Sequence, residues 1–153
     1  MVTMQQLDGY LGKHIRDICN NGYVNDRDNH CAHFVSHVLE MQFGVTCTQM
    51  GSGKGDAANV RVQEVFARCP RVGTWASHAD TLTTCLAFVT NAGNVDLTKK
   101  VMSNVPRKHI GIYLGGLVWH YSNAQRKVVK QSPAQFAEHY AAPDNAMFFG
   151  TFP

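Results

Sequence analysis

Cys31 is the residue whose position most favours covalent chemistry. It follows the turn-forming run NNGYVNDRDNH of residues 20–30, in which Asp28 and Asn29 stand where a helix N-cap is expected, so the thiol falls in a first helical turn. The orphan N–H groups and the positive dipole end there favour the thiolate, which is the nucleophilic form. Two histidines supply the complementary chemistry. Gly115 and Gly116, between two alternating runs, read as a two-residue hairpin turn whose register sets His109 opposite Ser122, Gly111 opposite His120 and Tyr113 opposite Val118. His109 and His120 are then diagonal neighbours on one sheet face, with open space over Gly111 between them. Ile110, Ile112, Leu114, Trp119 and Tyr121 take the other face, towards the core. If the Cys31 helix packs on the histidine face, His109 takes the thiol proton and His120 holds the His109 ring in the required tautomer, a Cys-His-His relay. The backbone N–H of Cys31, with Asn29 or His30 just upstream, would form the oxyanion site, and Tyr23 and Ser122 are candidates for contacting or orienting substrate.

These residues need elements to hold them. Met4, Leu7, Leu11, Ile15 and Ile18 recur at helical spacing and predict one amphipathic helix ending before Asn20-Asn21-Gly22. The Cys31 helix carries Phe34, Val35, Val38 and Leu39 on one face and His33, His37 and Glu40 on an exposed polar face, with Gly44 as its stop. Gly51 to Asp56 is a flexible connector that lacks phosphate-loop spacing, and residues 57–69 read as a short helix with Val62, Val65 and Phe66 inward. Strands are expected at 86–90, 109–114, 117–122, 127–130 and 147–152, and a helix at 133–140 capped by Ser132. Helices followed by a mostly antiparallel sheet make an α+β fold, expected as a single domain over residues 1–153.

Composition narrows the function classes. Hydrophobic residues at 44% and charged residues at 16% fit a globular chain, and a net charge of +3 spread without a basic stripe disfavours nucleic acid as the main partner. No run is apolar enough for membrane insertion, and the start lacks the apolar core of a signal peptide, so export would need a non-classical route. The five cysteines are scattered without a Cys-x-x-Cys pair and read as free thiols; Cys19, Cys47, Cys69 and Cys85 have no context beyond core packing. His33 and His37, four apart with His30 and Cys31 nearby, invite a zinc reading, but no further pair at ligand spacing completes four ligands, so no metal or organic cofactor is expected. Asp26 and Asp28 lack the rest of a calcium loop and read as turn and cap residues.

The stretches Asn29-His-Cys-Ala-His-Phe-Val35, His109-Ile-Gly-Ile-Tyr-Leu-Gly115 and Val118-Trp-His-Tyr-Ser122 resemble the NlpC-type papain-like cysteine peptidases and amidases in order and spacing. The resemblance covers mainly residues 20–44 and 83–132. It implies Cys31 as nucleophile, His109 as base and His120 as orienting residue, acting on an amide bond of a peptidoglycan stem or cross-link peptide. The chain departs from the family in having His30-Cys31-Ala32-His33 where Asp-Cys-Ser-Gly is usual. Small size and basic charge are more similar to the amidase effectors of contractile secretion systems, or to phage-associated wall hydrolases. For such proteins the expected partners are a peptidoglycan peptide and a cognate inhibitor protein, and the place of action is the periplasm or cell wall. Two other readings stay open: a non-catalytic domain binding a peptide or wall fragment, and a lipid-directed thiol acyltransferase, which resembles the lecithin:retinol acyltransferase group but has the reverse motif order.

Overall fold

The computed structural model describes residues 1–153 and has the expected α+β architecture. Helix α1 (Met4–Asp8) is followed by a 3-10 turn at Ile15–Asp17, then α2 (Cys31–Val38), α3 (Cys47–Met50) and α4 (Val62–Arg68). The strands are β1 (Val72–Thr74), β2 (Thr84–Asn91), β3 (Val95–Asp96), β4 (Val101–Met102), β5 (His109–Leu114), β6 (Leu117–Ser122) and β7 (Lys127–Gln131). Helix α5 (Pro133–Ala137) and β8 (Asn145–Gly150) complete the order. Six strands form one antiparallel sheet in the order β1-β8-β2-β5-β6-β7, and β3 and β4 form a separate pair.

The β5–β6 hairpin has the predicted register, pairing Ile112 with Trp119, Tyr113 with Val118 and Leu114 with Leu117 around two glycines at positive φ. Its core face also follows the alternation. Ile110, Ile112, Trp119 and Tyr121 are buried in one cluster with Phe34 and Val35 of α2, Phe66 of α4, and Leu86 and Phe88 of β2. The opposite face carries a smaller cluster of Ala87, Val89, Val118 and Phe136, covered by α5. That helix starts where predicted, with Pro133 in its first turn and a Ser132–Gln135 capping box.

The single N-terminal helix expected over Met4–Ile18 is not formed. Helix α1 ends at Gly9, and Gly12 at φ +81° turns the chain so that Gly12 donates to Val128 and Val128 donates to Lys13 across the outer edge of β7. Leu7 and Ile15 are fully buried while Met4 and Leu11 are exposed, so the periodic apolar positions do not share one face. Nor does Gly44 stop α2. The helix closes at Leu39, and Glu40 at φ +56° takes the left-handed place that usually falls to glycine.

Candidate active site

Helix α2 begins at Cys31 as predicted, but its N-cap is His30, which makes no side-chain capping bond. Asn29 provides the support instead: its Oδ1 accepts from the Cys31 N–H at 3.0 Å and from Asn123 Nδ2 at 2.7 Å, while its Nδ2 donates to the Lys108 carbonyl at 3.3 Å. Asn123, at the end of β6, also accepts from the His30 N–H at 2.9 Å. The start of α2 is thereby tied to both strands of the histidine hairpin. Asp28, expected as a cap, accepts from Asn25 Nδ2 within the preceding turn.

The Cys31 sulfur lies against the start of β5, 3.8 Å from the Lys108 carbonyl. The thiol is 1% exposed. Burial pushes its pKa up to about 11, outweighing hydrogen bonds from the Ile110 and Ala32 backbone that favour the anion. The helix start favours the thiolate and burial opposes it, with burial the larger effect at this sulfur.

His109 and His120 form the predicted pair, with Nε2 of His109 2.8 Å from Nδ1 of His120. His120 Nε2 lies 2.6 Å from Gln131 Oε1, so this nitrogen carries the hydrogen and the amide oxygen accepts it. Burial lowers the His120 pKa to about 4 and that of His109 well below the usual imidazole value, so both rings are neutral. A neutral His120 protonated at Nε2 has a bare Nδ1 that must accept from His109 Nε2–H. His109 Nδ1 is then a free lone pair, and it is buried without a partner. The His139 ring stacks on His109 at 3.7 Å and the Phe136 ring lies at 5.4 Å, with Tyr140 beyond.

The packing differs from the arrangement that the relay presupposed. Helix α2 lies on the Ile110 face, whereas His109 and His120 project to the face covered by α5. No hydrogen bond joins Cys31 to His109; the Cys31 sulfur contacts instead the carbonyl of Lys108, the residue before His109. The space over Gly111 is filled too, since a Cβ there would stand 2.6 Å from Val118 Cγ1 and 3.1 Å from His120 Cβ. The backbone N–H of Cys31, expected at the oxyanion site, is already engaged by Asn29 Oδ1, and the His30 ring by the Asn25 carbonyl and His33.

A cleft of about 360 Å³ opens beside Cys31, lined by Cys31, Asn29 and Tyr23 with Asp28, Arg61, Gln63, Arg107 and Lys108. Of the candidate substrate contacts, Tyr23 and Asn29 lie on its wall. His30 and Ser122 are buried away from it: His30 contacts the Asn25 carbonyl and His33, and Ser122 Oγ accepts from Gln125 N–H. Gln63 has a buried side-chain oxygen without a partner.

Gln131 escaped the sequence reading, though the signal was present. Register across β6 and β7 pairs His120 with Val129 and Val118 with Gln131, which puts Gln131 diagonal to His120 on the same face. His139 and Tyr140 follow the last turn of α5, and no pattern announced them. No family model matches the chain, and no curated protein or solved structure matches it.

Proposed function

We propose that this chain is a cysteine hydrolase of papain-like NlpC type that cleaves an amide bond in peptidoglycan peptides, with Cys31 as nucleophile, His109 as base and His120 as orienting residue. The observation that carries the reading is the directed chain Gln131–His120–His109, which leaves a neutral imidazole with one bare, unpartnered nitrogen on the residue next to the backbone that holds the Cys31 sulfur. A buried acceptor without a partner costs stability and so points to a role in the reaction.

In the first step the Cys31 thiol gives its proton to His109 Nδ1 as the sulfur adds to the amide carbonyl carbon. The C–N bond then breaks and the leaving amine takes that proton, which leaves a thioester. Water gives a proton to His109 and attacks the thioester, releasing a carboxylic acid and restoring the thiol. Because burial favours the protonated thiol at rest, proton transfer and attack are coupled. Arg61, Arg107 and Lys108 against the one carboxylate of Asp28 suit a peptide that carries carboxylates near the scissile bond.

Purified peptidoglycan is digested with wild type, Cys31→Ala and His109→Ala, and the soluble products are resolved by mass spectrometry. New paired amine and carboxyl ends that need both residues are expected. Cleavage that survives in both variants, or no cleavage by reduced wild type from pH 5 to 9, overturns the proposal. The missing Cys31–His109 hydrogen bond favours a second reading, a domain that binds such peptides without cutting them; it predicts equal peptide affinity in wild type and Cys31→Ala and no turnover in either.

A further inference from the structure

A second group of reactive side chains lies along α2 and takes no part in the proposed reaction. His33 and His37, one turn apart, converge with Cys19, which follows the 3-10 turn, and with Cys47, the first residue of α3. One ligand atom from each of the four lies within 4.8 Å of all the others. His33 is fully buried, where a polar solvent-facing position was expected, and Cys19 and Cys47 are buried with it. His37 is only partly covered.

Hydrogen bonds fix the state of the central imidazole. His30 Nε2 lies 2.6 Å from the Asn25 carbonyl, which can only accept, so this nitrogen carries the hydrogen. With that hydrogen on Nε2, the Nδ1 of the neutral ring is bare. His33 Nδ1, 3.0 Å from His30 Nδ1, must then donate, which makes His33 Nε2 a lone pair. That atom is buried and has no partner. An imidazole whose far N–H is held by a neighbour while its other nitrogen is bare is set up to ligate a metal.

The sulfurs are prepared in a similar way. Asn21, itself fully buried, donates its backbone N–H to Cys19 Sγ at 3.4 Å and its side-chain Nδ2 to Cys47 Sγ at 3.1 Å. Such N–H donors stabilise sulfur that carries negative charge. Asn21 is held in turn by Gly55 N–H and the Asp56 carbonyl.

We infer that Cys19, His33, His37 and Cys47 form a tetrahedral zinc site that clamps the first turns of the chain, helix α2 and helix α3 together. Two thiolates and two neutral imidazoles are a common structural zinc donor set, and edges of about 3.3–3.8 Å follow from its bond lengths. His37 Nε2 and Cys47 Sγ already stand 3.8 Å apart, and no other pair exceeds 4.8 Å, so the ligands need to close by at most about 1.5 Å. Binding displaces the thiol protons, including the one Cys47 donates to the Asp56 carbonyl, and releases two protons per Zn²⁺. The centre is then neutral overall, which suits its burial. A surface cavity of about 480 Å³ lined by Cys19, His37, Asp17 and Asp56 gives the cation a path with two carboxylates on it. The sequence offered His33 and His37 but not the other two ligands, because Cys19 and Cys47 stand singly and only the loop contacts around Asn21 bring them to the helix.

The test is metal analysis of the tag-free full chain purified under reducing conditions, with cobalt(II) reconstitution of the chelator-stripped protein read by visible absorption. One equivalent of zinc and the intense bands of tetrahedral thiolate-bound cobalt are expected, with chelation lowering Tm on the order of 10 °C. Cys47→Ser and His33→Ala should lose the stoichiometric metal, while Cys31→Ala and His120→Ala keep it. The cobalt spectrum of wild type keeps the test decisive if a ligand variant fails to fold. Metal-free wild type that takes up no zinc, a Cys19–Cys47 disulfide in the reduced preparation, or metal lost with His120→Ala but kept with Cys47→Ser would overturn the inference.

Discussion

Acid should destabilise this protein well above the range where carboxylates titrate, and the His109–His120 pair sets the window. His120 is 2% exposed and burial holds its pKa at about 4, against 6.5 for an ordinary imidazole. A group whose folded pKa is depressed contributes stability that is fully present above its unfolded value and is lost as pH falls towards its folded value. For this shift the loss is roughly 2 kcal/mol by pH 5 and roughly 3 kcal/mol by pH 4 from His120 alone. His109 adds in the same direction, because burial and the neighbouring His120 and His139 lower its pKa further. The assay is urea unfolding at pH 7.0 and 5.0 on wild type and on His120→Gln, whose amide oxygen can still accept from His109 Nε2–H. Between those pH values the variant should lose about 2 kcal/mol less than wild type. Equal losses would show that His120 does not sit neutral in the folded protein, and the tautomer argument for His109 would fall with it.

Gly111→Ala should destabilise by about 1–2 kcal/mol, the overpacking against Val118 and His120 exceeding the gain from a stiffer unfolded chain; a Tm drop of roughly 3–6 °C in thermal unfolding checks it. Gln131→Leu removes the acceptor of His120 Nε2–H and should cost about 1–3 kcal/mol, while ¹⁵N spectra show protonation moving between the two His120 nitrogens. Wild-type ¹⁵N shifts in Gln131→Leu would contradict the relay. Asn123→Ala leaves both His30 N–H and the Asn29 side chain short of a partner and should cost about 1–2 kcal/mol, with faster hydrogen exchange at His30 and Cys31, measured by mass spectrometry.

The longer strands and the hairpin register were legible because two-residue periodicity and the Gly115-Gly116 turn are local signals, whereas β1, β3 and β4, of two or three residues each, are too short to show a period. Ser132 with Pro133 marked the start of α5 for the same reason. The N-terminal helix failed because Leu7 and Ile15 are buried by separate contacts: Asp8 accepts from Trp119 Nε1, and the Ile15 N–H donates to the Tyr121 hydroxyl. Tertiary anchors replaced the continuous helix that spacing implied. Within the candidate site, the adjacency of His109 and His120 followed from register. The face on which α2 packs did not, since alternation says which residues share a side but not which helix covers it. The position of Cys31 at a helix start was visible in sequence, and the burial that raises its pKa was not.

The place of β8 in the sheet has a consequence for how the chain folds. It lies between β1 and β2, so the last strand in chain order fills an interior slot. Until residues 145–150 arrive, β2 presents an unpaired row of N–H and C=O groups on a strand rich in Leu86, Phe88 and Val89. Such an edge is a template for joining a second chain. Folding therefore waits on a long-range closure and should be slow for a protein of this size, with its aggregation hazard concentrated in the interval before β8 inserts. A chain interrupted within β8 would keep the His109 hairpin and lose the strand that shields β2 from pairing with a second chain.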